Sequence, residues 1–148
     1  MKQKVVIAVA VLVVAGAGWA FFGSQKTPLG VPTPTPQPIT ISDERIRVSA
    51  PLSGAKITSP LVVRGEARGT WYFEASFPVR LRDANGKELA VKPAQAQGEW
   101  MTTEFVPFEA ALTFTKPETK TGTLILEKDN PSGLPEHAAH IEIPVVFE

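Results

Sequence analysis

The most regular alternation of apolar and polar residues in this chain begins at Trp71 and ends at Arg82. A period of two is what a β-strand imposes when one face is buried and the other faces water. Residues 69–83 therefore predict a long half-buried strand, and we expect a bulge, a bend or a locally unpaired edge at Pro78, which has no N–H donor. The expected inward residues are Trp71, Phe73, Ala75, Phe77, Val79 and Leu81, and the expected outward residues are Tyr72, Glu74, Ser76, Pro78, Arg80 and Arg82.

Shorter alternations of the same kind lie on both sides of this strand. An Asn85-Gly86 pair directly after it predicts a β-hairpin, because both residues tolerate positive φ. No helical period is present after about Ile41, and about seven short strands joined by turns favour a two-sheet antiparallel sandwich over a barrel. The six additional strands are expected near Ile46 and Val48, at Leu61–Arg68, near Leu89 and Val91, and at residues 100–114, 123–128 and 139–147.

The first 22 residues have a different pattern. Lys2 and Lys4 precede an unbroken run of eighteen apolar or small residues, 5–22. As a helix this run is about 27 Å long, close to the thickness of a bilayer, and the preceding lysines favour a cytoplasmic N-terminus. Residues 1–22 therefore predict an N-terminal transmembrane helix that anchors the chain. A cleaved signal peptide, with Gly18 and Ala20 near the cleavage site, is the alternative.

Residues 23–40 separate this run from the predicted sandwich at residues 41–148. Five prolines lie between residues 28 and 38, in a segment with few side chains suited to a core. This composition is typical of an extended polyproline spacer, which reaches about 3.1 Å per residue. The segment is either a stalk that holds the domain away from a membrane or a linker without a specific role.

Composition and charge exclude several kinds of function. The chain has no cysteine, which excludes a disulfide framework, a thiol nucleophile, a cysteine zinc site and a lipidated cysteine anchor. Its formal net charge is zero, but Lys2, Lys4 and Lys26 all precede the predicted domain, which is therefore about three units negative. A general nucleic-acid binder needs a basic surface, so we expect no nucleic-acid partner.

Candidate catalytic and metal-binding residues are sparse. His137 and His140 lie three residues apart, without the spacing or the further ligands of a zinc site, and favour a solvated loop. Residues 129–133 offer oxygen atoms but favour a turn over a calcium site. No Gly-x-Ser-x-Gly motif or phosphate-binding loop is present, and we predict no catalytic residue, no metal ligand and no cofactor. The carboxylates of Glu74, Glu99, Glu104 and Glu109 favour a solvated surface over a glycosidase pair.

The aromatic residues are the best candidates for a binding surface. Trp71, Tyr72 and Trp100, with Met101 and Phe105 nearby in the sequence, fall at the expected starts of two strands. If these strands start at the same end of the sandwich, exposed rings there form a partner-binding surface. The alternative is that Trp71 and Trp100 close the end of the core. Tyr72, on the polar side of the alternation, is the better surface candidate.

Four segments together carry a resemblance to a known family. They are GTWYFEASFPVRLRD (69–83), EWMTTEFVPFEAALTF (99–114), LILEKDNPSGLPE (124–136) and IPVVF (143–147). These segments resemble the immunoglobulin-like domain of bacterial spore germination, a bacterial extracytoplasmic module that is often found beside a germination-protein domain. The resemblance implies an all-β, immunoglobulin-like sandwich and a cell-envelope setting, and it implies no defined chemistry.

Two functions fit these observations. The first is a membrane-tethered, extracytoplasmic and non-catalytic module that binds or positions another cell-envelope protein or acts as a spacer. We expect it in the bacterial cell membrane as a single-pass protein, or secreted if the N-terminal segment is cleaved. The second is a module that binds cell-wall polysaccharide through exposed aromatic rings. A planar ring in a polar groove favours sugar, whereas an aromatic and aliphatic patch or an open strand edge favours protein.

Overall fold

Eight β-strands and two short 3₁₀-helices make up residues 43–148, the part of the chain that the computed structural model describes. No α-helix occurs in these residues, so the all-β prediction is confirmed. The predicted anchor, residues 1–22, and the predicted linker, residues 23–40, lie outside the described residues. The strands are β1 Ile46–Ala50, β2 Ala55–Ile57, β3 Leu61–Arg68, β4 Ser76–Asp83, β5 Glu88–Ala96, β6 Phe105–Leu112, β7 Thr121–Glu127 and β8 His140–Phe147, and the 3₁₀-helices are Gly69–Trp71 and Pro135–His137.

The strands are hydrogen-bonded in the order β1-β3-β6-β5-β4-β7-β8-β2. Every pair is antiparallel except β2 with β8. The neighbours β1-β3-β6 and β4-β7-β8 reproduce the strand orders A-B-E and C-F-G of constant-type immunoglobulin domains, so the fold is consistent with an immunoglobulin-like sandwich. The eighth strand, β2, was not expected because three residues are too few to show a period of two.

One hydrophobic core lies between the inward faces of these strands. Phe77, Val79 and Leu81 of β4 are fully buried, as the alternation predicts. The ring of Phe77 lies 4.9 Å from that of Phe108 on β6, so side chains of β4 and β6 meet in the core. The alternation also predicts inward residues on β3, β6 and β8, and most of them are confirmed. Ile141, the first inward residue expected on β8, is only partly buried. The buried residues are Leu61, Val63, Ala67, Phe108, Ala110, Leu112, Ile143, Val145 and Phe147.

Pro78 ends the ladder between β4 and β7. This ladder includes the Val79–Leu126 pair but does not continue to Pro78. Backbone groups of alternate β4 residues point towards β7, and Pro78 is the next residue in that series, where it has no N–H to donate. The expected unpaired edge at Pro78 is therefore confirmed.

Pro93 ends the ladder between β5 and β6 in the same way. Gln95 pairs with Glu109, and the N–H of Gln97 donates to the Pro107 carbonyl oxygen at 2.8 Å. The next residue of β5 whose backbone faces β6 is Pro93, and it has no donor. The two halves of the sheet are therefore joined only near the last residues of β5, and the remainder of β5 keeps an open edge.

The predicted long strand is wrong in its first half. Gly69–Trp71 is a 3₁₀-helix, and a tight turn follows in which Glu74 and Ala75 have positive φ, 48° and 61°. This turn pairs Phe73 with Ser76, so only the residues from Ser76 onwards belong to β4. Because the turn interrupts the strand, the alternation of β4 does not extend back to Phe73. This residue is 42% exposed instead of buried.

The hairpin predicted at Asn85-Gly86 is confirmed. Gly86 has φ of 81°, and its N–H donates to the Asp83 carbonyl oxygen at 3.0 Å. The Asp83 carboxylate accepts the N–H groups of Asn85 and Lys87, both at 2.9 Å. The turn between β4 and β5 is therefore stabilised by hydrogen bonds within residues 83–87.

Candidate functional site

A groove lies at the end of the domain where β3 ends and β6 begins. We call it the end groove, and its volume is about 590 Å³. It lies between the 3₁₀-helix that follows β3 and the loop that precedes β6, so it combines residues about thirty positions apart in the sequence. Its lining is Gly69, Thr70, Tyr72, Trp100, Met101, Thr102 and Thr103.

The loop of residues 99–104 is fixed by its own hydrogen bonds. The N–H of Met101 donates to Glu99 Oε1 at 3.1 Å, and the N–H of Thr102 donates to the Trp100 carbonyl oxygen at 2.8 Å. Thr102 Oγ1 accepts the N–H of Glu104 at 3.2 Å. These short-range bonds hold the backbone on both sides of Met101.

The same loop is bound to the end of β3 and to the start of the domain. Arg68 donates from Nη1 to the Thr103 carbonyl oxygen at 2.8 Å and from Nε to the Glu44 carbonyl oxygen at 3.0 Å. The N–H of Gly69 donates to the Glu104 carbonyl oxygen at 3.2 Å. A single arginine therefore connects three segments at this end of the domain.

Gly69 allows the loop to lie directly on the 3₁₀-helix. A Cβ atom at this position would be 1.9 Å from the Thr102 carbonyl oxygen and 2.2 Å from that of Trp100. Both neighbours are backbone atoms, so no side-chain rotation relieves the overlap. The shape of the end groove therefore depends on a residue without a side chain.

Met101 and Trp100 are the side chains that the loop presents. Met101 is 74% exposed, the highest value among the exposed large hydrophobic residues of 43–148. Trp100 is half-buried and packs against the hydrophobic core. The strand expected at residues 100–114 begins only at Phe105, so both residues lie on a loop.

Two of the three predicted partner-binding residues are buried. Trp71 is 1% exposed and packs edge-on against Phe77, with ring centroids 6.3 Å apart. Tyr72 is 5% exposed, and its hydroxyl donates to the Val106 carbonyl oxygen at 2.7 Å. The expectation that Tyr72 faces solvent is wrong, because the turn after it breaks the alternation. A partner-binding role for Trp71, Tyr72 and Trp100 stays a prediction, and Tyr72 still lines the end groove.

The burial of Tyr72 predicts loss of stability at alkaline pH. Burial raises the pKa of its hydroxyl far above the usual range, so the folded domain favours the neutral phenol. Its contribution to stability is complete below pH about 10, the pKa of an exposed tyrosine, and is lost as the pH rises above that value. The chain has one tyrosine, so ultraviolet absorbance of tyrosinate reports on this residue alone.

We expect tyrosinate to appear together with unfolding and not before it. Circular dichroism measured on the same alkaline samples supplies the comparison. The Tyr72→Phe variant should show a weaker dependence of stability on pH above about 10, because it has no phenol to ionise. An ordinary tyrosine titration near pH 10 in a folded domain would contradict the buried position of the hydroxyl.

The other candidate residues form no metal site or carboxylate pair that the described residues bring together. Within residues 43–148, no three histidine, cysteine, aspartate or glutamate side chains are grouped so that they could hold a metal ion. His137 is in the second 3₁₀-helix, and His140 is the first residue of β8, 3.7 Å from a Glu142 carboxylate oxygen. The carboxylates expected on a solvated surface are there: Glu74, Glu99, Glu104 and Glu109 are all exposed.

The turn predicted at residues 129–133 is confirmed. Gly133 has φ of 67°, and its N–H donates to the Asn130 carbonyl oxygen at 3.1 Å. The side-chain amide of Asn130 donates to the Leu134 carbonyl oxygen at 2.8 Å, and Ser132 Oγ donates to Asn130 Oδ1 at 2.6 Å. The polar atoms of this segment therefore stabilise the turn itself.

A comparison with known protein families identifies the family of this chain. The family described as the immunoglobulin-like domain of bacterial spore germination matches residues 45–133, which is more than half of the chain. The chain belongs to this family. The match begins just before β1 and ends after β7, so it includes both sides of the end groove but not β8. No curated protein matches the chain.

Membership in this germination-associated immunoglobulin-like family indicates a non-catalytic extracellular module. The described part of the chain, residues 43–148, contains no helix that is long and apolar enough to cross a membrane. The resemblance found in the aromatic segments is thus confirmed at the level of the family. What this particular domain binds has to be argued from its own surface.

Proposed function

We propose that this chain is a membrane-tethered extracytoplasmic module that binds or positions another cell-envelope protein through the end groove. One observation carries the proposal. Met101 is 74% exposed on a loop whose backbone is fixed by hydrogen bonds, beside the half-buried ring of Trp100. Aromatic and methionine side chains are enriched at the centres of protein interfaces, and a rigid loop loses little conformational entropy on binding.

The proposed tether rests on the sequence. Residues 1–22 would anchor the chain in the bacterial cell membrane, and the proline-rich residues 23–40 would act as the stalk. Tethering raises the effective concentration of the domain for partners in the same envelope, so a small binding surface is sufficient. A spacer without a partner would not require an exposed methionine on a fixed loop.

Polysaccharide binding is the second candidate. The observation that favours it is the set of three threonines, Thr70, Thr102 and Thr103, which line the end groove with Trp100. Hydroxyl groups beside an aromatic ring suit a sugar, which needs hydrogen bonds at its edge and a flat contact on its face. The exposed thioether side chain of Met101 favours a protein partner instead.

Photo-crosslinking in intact cells tests the proposal. A photoreactive residue is placed at position 101 of the full-length chain and, as the matched control, at position 85, which is exposed in the hairpin at the opposite end. We expect position 101 to give a discrete adduct with a cell-envelope protein, which position 85 does not give. An adduct that glycan-cleaving enzymes remove and protease does not would identify the polysaccharide function. Identical adducts from the two positions, or none from either, would contradict binding at the end groove.

A further inference from the structure

A second groove crosses the outer face of β1, β3 and β6. We call it the sheet groove, and it has a volume of about 570 Å³, within the range of about 300–1,000 Å³ that is typical of small-ligand sites. Its walls include charged side chains from all three strands, and Leu52 and Pro107 are the apolar lining residues that are not fully buried. It lies on the strands themselves, so its side chains are positioned by sheet register and not by a loop.

The guanidinium group of Arg47 is held in place but has no partner. It lies over the ring of Phe105, with its central carbon 3.9 Å from the ring centroid. Among residues 43–148 it donates no hydrogen bond and forms no ion pair, although Glu66 is directly opposite on β3. Stacking on an aromatic ring fixes the plane of an arginine and leaves its N–H groups free to bind a carboxylate.

The carboxylate of Glu66 is also unpaired within the described residues. The arginine on its own strand, Arg64, is bound to Glu109, with Nε to Oε2 at 2.7 Å. Arg68, on the other side, donates to two backbone carbonyl oxygens. Both neighbours of Glu66 along β3 are therefore occupied, and Arg47 is held over Phe105. The sheet groove thus presents one free cation and one free anion side by side.

We propose that the sheet groove binds a short zwitterionic peptide, with its terminal carboxylate on Arg47 and its terminal ammonium group beside Glu66. Directly opposite residues in a sheet have Cβ atoms about 4.5–5.5 Å apart, and their long side chains extend this separation. An extended dipeptide or tripeptide spans about 7–11 Å, so its two charged ends can reach two residues on neighbouring strands. Small apolar side chains of the peptide would contact Leu52 and Pro107.

The charges of the sheet groove disfavour the binding of polyanions and of neutral sugars. A linear polyanion would meet Arg47 favourably but would be repelled by Glu66 and, in part, by Glu109. A neutral sugar would leave the charges of Arg47 and Glu66 without partners while excluding their water, which costs free energy. A ligand with one charge of each sign satisfies both groups and gives a bidentate arginine–carboxylate pair.

Three matched peptides test this proposal on the full-length chain in detergent, with affinities measured by isotope-edited NMR titration. The probes are tri-alanine, N-acetyl-tri-alanine and tri-alanine amide, which differ only in the charge at one end. We expect tri-alanine to bind most tightly, and neutralising either end should weaken binding about tenfold, which corresponds to about 1.4 kcal/mol. Equal affinity for the three probes, or no binding by any of them, would overturn the proposal.

Two substitutions assign each charge to its residue. In Arg47→Gln, amidation of the carboxylate should no longer change the affinity, while acetylation of the amine still should. In Glu66→Gln the pattern should be reversed. Arg82→Gln, which removes an arginine of the other half of the sheet, is the control and should leave the affinities for all three probes unchanged. If both groove variants retain the full preference for tri-alanine, the peptide binds elsewhere and the assignment fails.

Discussion

Phe77→Ala is expected to lower the free energy of unfolding by about 3–5 kcal/mol. Phe77 is fully buried, and its ring contacts three other aromatic rings. The centroid distances are 4.9 Å to Phe108, 5.2 Å to Tyr72 and 6.3 Å to Trp71. Truncation removes all three contacts and leaves a cavity that a packed sheet fills only in part. Denaturant unfolding followed by circular dichroism measures the loss.

Phe73→Ala supplies the matched control for this experiment. Phe73 has the same side chain and the same phase in the sequence alternation, but it lies in the turn before β4 and is 42% exposed. We expect a change within about 0.5 kcal/mol, as for most exposed positions. Similar losses for the two variants would show that the turn at residues 73–76 does not separate the core from the surface.

Gly69→Ala is expected to destabilise the domain by at least about 1–3 kcal/mol and to disrupt the end groove. The added methyl group would overlap the carbonyl oxygens of Trp100 and Thr102, which belong to the backbone of the loop. Relief requires the loop to move away from the 3₁₀-helix, so the bond from the Gly69 N–H to Glu104 would also be lost. Tryptophan fluorescence and denaturant unfolding together measure the change.

Gly98→Ala is the control, because it makes the same substitution just before the loop. A Cβ atom at Gly98 would have no neighbour within 4 Å, and its φ is not positive. We expect stability to stay within about 0.5 kcal/mol of the original, with the tryptophan fluorescence of the domain unchanged. If Gly69→Ala behaves like Gly98→Ala, the loop does not depend on close contact with Gly69.

The alternation predicted the core most accurately in β4. Phe77, Val79 and Leu81 are buried because a pleated strand directs every second side chain to the same face. The same reasoning failed for Tyr72 and Phe73, which precede the turn. Glu74 and Ala75 adopt positive φ there without glycine or asparagine, so the sequence lacks the residues that usually indicate such a turn.

The two grooves differ in how far the sequence predicted them. The sequence indicated Trp100 and Met101 as part of a cluster of aromatic and methionine residues. It did not show that their loop lies directly against Gly69, because that contact joins residues about thirty positions apart. The relation between Arg47 and Glu66 depends on the register of β1 against β3. Register is set by the packing of the whole sheet, and a shift of one residue would place these side chains differently.

Pro93 also limits which part of β5 is open to strands of other molecules. Edge strands with regular N–H and carbonyl groups can pair with strands of other molecules and so initiate aggregation. The open edge of β5 carries Val91, which is 42% exposed and would favour such pairing, but the donor two residues further along is missing at Pro93. A ladder formed by a strand of another molecule along this edge would therefore be interrupted at Pro93.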